Sequence, residues 1–205
     1  MIQSGITQGT PSQIPFGAGV YFEGVTYDEK VAPTEEAVRA AIIGATQEGG
    51  TVTITPEFFD IPADGALVPV AELKQKVGET AQIEASFLEL KAKFVKNQVI
   101  GKLANSTDSE FDVITSDDHL RKGHFYEGFG FWGHLLDGRE FIVIFKKALC
   151  TSGHVSEHKN KTNSVFKGTF ECHSDIEHGT TTLPYAIFIR KAEGWEPVNA
   201  EEAAA

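Results

Sequence analysis

An Asp-Gly pair, Asp137-Gly138, stands between two strand-like runs, residues 125–136 (FYEGFGFWGHLL) and 139–149 (REFIVIFKKAL). Glycine reaches the positive φ that a two-residue hairpin turn demands, and aspartate tolerates the neighbouring position. The pair is therefore the strongest short-range hairpin signal a sequence can carry. It commits the centre of the chain to antiparallel pairing. Phe129, Phe131, Phe141, Val143 and Phe145 alternate along the two runs and are expected in the core. The other face of the second run carries Ile142 and Ile144, equally apolar, so alternation alone does not fix the register.

Other segments repeat the β theme. Residues 77–88 alternate cleanly, with Ala81, Ile83, Ala85 and Phe87 on one face and Thr80, Gln82, Glu84 and Ser86 on the other. That is a strand with one dry and one wet face. Residues 20–25, 51–56, 111–115, 165–172 and 184–190 read as further strands, and residues 47–50 as a breaker. Residues 57–70 hold two prolines and an Asp-Gly step, the mark of a strand end followed by a long loop or an extended hairpin. Two helix starts are visible. Thr34 precedes Glu35-Glu36 as an N-cap, and Ser86-x-x-Glu89 has capping-box spacing, with Leu90, Phe94 and Val95 following at helical intervals. The second predicts a helix over residues 89–100, packed on the sheet. The sum is mainly β: an antiparallel β-sandwich or barrel of about seven or eight strands with one packed α-helix.

The expected domain plan is an extended N-terminal arm (residues 1–19), a single domain (20–192) and a tail (193–205). The arm is polar and turn-rich, with no core of its own. Residues 1–19 and 58–76 carry Ile2, Ile6, Ile14, Phe16, Phe58, Phe59, Ile61, Leu67 and Leu73, yet neither segment has the pattern of a buried element. Long loops in compact domains are usually functional. Both are expected to order against a neighbouring subunit.

Charge narrows the function further. The net charge is −11, against the clustered Lys and Arg of a protein that grips nucleic acid through phosphates. There is no basic flank and apolar stretch of a signal peptide at the start, and no run of the length that spans a bilayer, so a cytoplasmic origin and no membrane partner are expected. Two cysteines do not make a disulfide framework.

Reactive residue types are present without a reactive pattern. Cys150, His154, His158, Cys172 and His173 are zinc-ligand types, but their spacing does not match a zinc module, and no metal is assigned. Cys172 and His173 are sequence neighbours on a strand, so their side chains diverge and form no dyad. Asp117-Asp118 and Glu35-Glu36 read as caps and solvated charges. The Gly128–Gly133 run lacks the Lys-Ser/Thr of a phosphate loop. No catalytic residue or cofactor is expected, and the chain is read as a structural subunit and not an enzyme.

These segments together resemble the major tail proteins, the tail tube subunits, of long-tailed bacteriophages. The likeness rests on Gly44-Ala45-Thr46 with Gly49-Gly50 leading into a strand that ends in Pro56-Glu57, and on the Asp64-Gly65-Ala66 step. Gly78-Glu79 opening a strand, Leu88-Glu89-Leu90 entering a helix, and Pro184-Tyr185 opening a last strand also fit. It spans residues 40–192; residues 105–124 and 150–163 match no motif. The resemblance implies hexameric rings, stacked into a tube whose inner strands join as one barrel and through which DNA passes without specific binding. It implies itself as main partner, tape measure and terminator proteins as others, and a place in the virion tail after assembly in the bacterial cytoplasm. One face of the inner strands then meets the lumen, and Gln82, Glu84 and Ser86 are the candidate lining. The alternatives are another tail component, such as a terminator or a contractile-system tube, or a small-ligand-binding β-sandwich module.

Overall fold

The structure is a computed structural model that describes residues 10, 13–65, 67–104, 110–158 and 160–192. Ile2 and Ile6 of the N-terminal arm, and the tail from residue 193, lie outside the described residues.

The elements follow in the order β1 (Val20–Phe22), α1 (Glu35–Ala40), β2 (Thr46–Asp60), β3 (Lys74–Phe87), α2 (Ala92–Gln98), β4 (Gly101–Leu103), β5 (Ile114–Ser116), β6 (Tyr126–His134), β7 (Glu140–Cys150), β8 (Val155–Glu157), β9 (Val165–Cys172) and β10 (Tyr185–Ile189). The main sheet runs β1-β6-β7-β9-β3-β2, with β10 beside β7 and β8 beside β9; β4 and β5 form a separate pair. Every pairing is antiparallel. The fold is mainly antiparallel β with few helices, consistent with the expected sandwich and its packed helix.

The central hairpin forms, but not through a two-residue turn: the Leu135 N–H donates to the Arg139 carbonyl, the Gly138 N–H donates to the Leu135 carbonyl, and of the Asp-Gly pair only Gly138 takes positive φ. Phe129 stands opposite Phe145, Phe131 opposite Val143 and Gly133 opposite Phe141. β7 is shared along one edge, where Phe141–Phe145 pair with β10 and Ala148–Cys150 pair with β9. The two apolar faces of β7 both find cover. Val143 and Phe145 join Phe129, Tyr126, Phe170, Ile83 and Phe87 in the larger core, and Phe131 and Phe141 pack at its margin, only partly buried. Ile142 and Ile144 join Phe22, Val25, Val38 and Trp132 in a second, smaller core on the other face. The Phe129 and Phe170 rings lie 4.4 Å apart, the closest ring contact of a cluster that also takes in Tyr126 and Phe94.

Thr34 caps α1 as its sequence predicts: its Oγ1 accepts a bond of 3.2 Å from the Ala37 N–H, and Val38 is the residue the helix buries. The helix expected over 89–100 is shorter, Ala92–Gln98, and its capping box does not form. Ser86 stays in β3, paired opposite Lys167 of β9. The Glu89 carboxylate instead accepts from the Ala45 N–H at 3.0 Å. Leu90 is exposed, while Phe94 carries the helix into the core.

The predicted break at residues 47–50 is also corrected. These residues belong to β2, where the register shifts between the Thr46–Phe87 and Gly50–Ala85 pairs, and Glu48 and Gly49 take positive φ. A bulge lets a strand absorb such residues without ending.

Candidate assembly surfaces

The β2–β3 hairpin extends beyond the body. β9 pairs with β3 only over Gln82–Phe87. From Lys74 to Glu79, β3 pairs with β2 alone. β2 tolerates Pro56 because it sits at the sheet margin, where a missing N–H breaks no ladder. Val52 and Ile54 still reach the large core, but beyond Pro56 the residues of β2 are all exposed.

Phe58 and Phe59 show this directly. Consecutive strand residues point to opposite faces. Phe58 is 57% and Phe59 53% exposed, so neither face of the arm is covered. Lys74 lies over the Phe58 ring, 5.6 Å from its centre, and pairs with Asp60 at 2.9 Å. Those contacts stiffen the arm without burying it. Val77 is exposed on the paired strand; Ile61, Val68 and Val70 are exposed in the loop, and Leu67 there is 96% exposed. Leu73 is half-buried in a short 3-10 turn at the foot of β3.

The described part of the N-terminal arm lies along the far margin of the sheet. Pro15 bridges to Leu135, the Phe16 N–H donates to the His134 carbonyl, and the Leu136 N–H donates to the Ile14 carbonyl. Ile14 and Phe16 remain exposed. Of the expected contact residues, the structure therefore groups Phe58, Phe59, Ile61 and Leu67 on one arm and places Ile14 and Phe16 on a separate margin.

The wet face of β3 is continuous with its neighbours. Gln82 lies between Thr53 and Glu171, Glu84 between Thr51 and Thr169, and Ser86 beside Lys167. Thr51, Glu84, Ser86, Lys167 and Thr169 line an open groove of about 400 Å³, and Gln82 lies outside it. Its one lysine is held by acids: Lys167 Nζ lies 2.8 Å from Glu157 and 3.9 Å from Glu48. The Glu157 carboxylate raises the Lys167 pKa above the ordinary lysine range. The sequence reading picked out Gln82, Glu84 and Ser86 but missed this acid-bound lysine. Its signal was the alternation of Lys167, Thr169 and Glu171 against Phe166, Gly168, Phe170 and Cys172.

The zinc-ligand types are dispersed among different partners. Cys150 and Cys172 are buried thiols, and burial pushes the Cys172 pKa up to about 12. His154 Nδ1–H donates to Gln98 Oε1 at 2.8 Å, with its ring stacked on Phe166. His158 lies between the Ser156 and Ser164 hydroxyls, and His173 lies against the Phe125 ring. Among the described residues no group of three or more His, Cys, Asp or Glu lies together in metal-binding arrangement. No helix among them is long and apolar enough to cross a membrane.

No protein-family model matches the chain, and no curated protein does. Among solved structures, it is similar to a chain described as the virion of a native gene transfer agent (GTA) particle, with a TM-score of 0.38 and 9% identity over 91% of this chain and 100% of that one. A TM-score of that size does not establish a common fold.

Proposed function

We propose that this chain is a structural virion protein, the tail tube subunit of a long-tailed bacteriophage, which assembles into stacked hexameric rings around a channel for DNA. The observation that carries the reading is the β2–β3 arm, apolar on both faces and covered on neither. Exposed aromatic residues on a stiff arm favour contact with a second copy, because burying them removes apolar area from water at about 25 cal/mol per Å².

The sheet margins support it. At one margin, β1 is covered by the segment 41–43: the Glu23 N–H donates to the Ala41 carbonyl, and the Ile43 N–H donates to the Tyr21 carbonyl. At the other, β2 pairs only with β3 and leaves a strand of 15 residues open among the described residues. An open edge of that length is an aggregation hazard unless a specific neighbour uses it. A head-to-tail contact that closes gives a ring, and a second contact through the arm stacks rings. A ligand-binding sandwich is less well supported: the interior is filled by Tyr126, Phe129, Phe145 and Phe170 instead of surrounding a cavity. Groups for catalysis have no place in this reading.

Negative-stain microscopy of the purified protein, alone at high concentration and with its tail initiator complex, tests the proposal. Rings or tubes are expected. A compact monomer under both conditions overturns it, and a single ring that caps a tube without extending it points to the terminator.

A further inference from the structure

The chain contains two Asp-Gly steps, Asp64-Gly65 and Asp137-Gly138, and the structure treats them differently. Both glycines take a φ of 87°. An Asp-Gly step is chemically labile when the glycine nitrogen is free to reach the aspartate side chain, because glycine has no Cβ to block the approach.

At Asp137-Gly138 both reacting groups are occupied. The Gly138 N–H donates to the Leu135 carbonyl at 2.9 Å, so the nitrogen points away into the turn. Asp137 Oδ1 accepts from the Arg139 N–H at 3.1 Å, and Oδ2 accepts from Arg139 Nε at 2.6 Å. The guanidinium also holds the carboxyl below its usual pKa, in the ionised form that resists attack by a nucleophile. At Asp64-Gly65, by contrast, both residues are exposed in the loop of the β2–β3 arm. Among the described residues neither the Asp64 carboxyl nor the Gly65 N–H has a partner, and nothing lies within 4 Å of where a Gly65 Cβ would be.

We propose that Asp64-Gly65 is a site of spontaneous backbone isomerisation in this protein, and that Asp137-Gly138 is protected from the same reaction by its hydrogen bonds. The Gly65 nitrogen attacks Cγ of the Asp64 carboxyl. A C–N bond forms, the carboxyl hydroxyl leaves, and it departs as water with the proton lost from nitrogen. The product is a succinimide. Water then adds to one of the two ring carbonyls and breaks a C–N bond, giving back aspartate or leaving isoaspartate, whose main chain runs through the former side chain. One water leaves and one returns, with no oxidant and no other reactant. The added main-chain methylene falls at the tip of the arm assigned above to inter-subunit contact. The chemistry itself does not depend on that assignment.

The test is to hold the folded protein in heavy-oxygen water at neutral pH, then digest it with trypsin in ordinary water. Residues 40–74 form the peptide with Asp64, and residues 123–139 the peptide with Asp137. The first should gain heavy oxygen at Asp64 and become a substrate for isoaspartyl methyltransferase. The second should label more than about tenfold more slowly, because its turn must first open locally. In urea both should label, and Asp64→Glu should remove the first signal. An Asp64 peptide that stays unlabelled in the folded protein while labelling in urea overturns the proposal. So does an Asp137 peptide that labels as fast as the Asp64 peptide without urea.

Discussion

Phe145 and Phe141 lie four residues apart on the same strand and face, yet the structure separates their contributions. Phe145 is fully buried and opposite Phe129, whereas Phe141 packs against Phe131 at the margin, with rings 5.6 Å apart. Phe145→Ala should cost about 3–5 kcal/mol in a denaturant titration, from lost burial and the cavity left behind. Phe141→Ala should cost clearly less, because its site can refill with water. Equal losses would mean that Phe141 is as deep as Phe145. A second residue-scale expectation concerns Asp175, whose carboxylate takes bonds from Lys147 at 2.7 Å and from the His178 N–H at 2.8 Å. The Lys147 ammonium, then the His178 bond, lower its pKa to about 2. Since the folded value lies below the unfolded one, its stabilisation is present above the unfolded pKa of about 3.8 and is lost as pH falls towards about 2. In a carboxyl-carbon NMR titration, Lys147→Met should move the Asp175 midpoint upward. An unmoved midpoint would remove Lys147 as the main cause.

Among the elements, the β2–β3 arm gives the sharpest separation of folding from assembly. Phe58→Ser with Phe59→Ser should change unfolding stability by no more than about 0.5 kcal/mol, as expected of exposed positions. The same pair should sharply reduce ring or tube formation in sedimentation. A large stability loss would show that the monomer buries these rings; normal tubes would show that assembly does not use them. The arm was legible only in part: Thr51, Thr53 and Thr55 alternating with Val52 and Ile54 announce a strand, but residues 57–70 read equally as a long loop or an extended hairpin, and the structure carries β2 on to Asp60 and starts β3 at Lys74. The helix after β3 was misread for a reason that no local pattern reveals. Ser86 and Glu89 have the spacing of a cap, but pairing with Lys167 keeps Ser86 extended, and the Ala45 N–H takes Glu89. Both partners are remote in sequence, and tertiary pairing overrides local preference. The bulge at residues 47–50 was hidden similarly: its glycines read as a stop, while their pairing with β3 continues past them.

For the molecule as a whole, charge and face must agree with a channel. The net charge is −11, and the face with Gln82, Glu84 and Ser86 has its lysine bound by Glu157 and Glu48. Acids on a channel wall repel phosphates within a Debye length of ~8 Å at physiological salt, whereas free lysines hold them and release counterions. Glu84→Lys with Gln82→Lys should leave tubes intact and slow DNA release, more so at low salt. Normal ejection across salt concentrations would place this face outside the channel. The central hairpin, with apolar residues on both faces, has a further consequence for how such a molecule avoids errors. Greasiness cannot tell its correct alignment from one shifted by a residue, but empty space can. A Cβ at Gly130 would fall 2.5 Å from the Phe22 ring, one at Gly133 2.6 Å from the Phe141 ring, and one at Gly128 1.7 Å from the Val25 carbonyl. A strand shifted by one residue would drive Phe129 or Phe131 into the gap at Gly130, Phe129 or Glu127 into that at Gly128, and Trp132 or His134 into that at Gly133, so the decoy is rejected by collision, and the fidelity of the sheet resides in atoms these three residues lack.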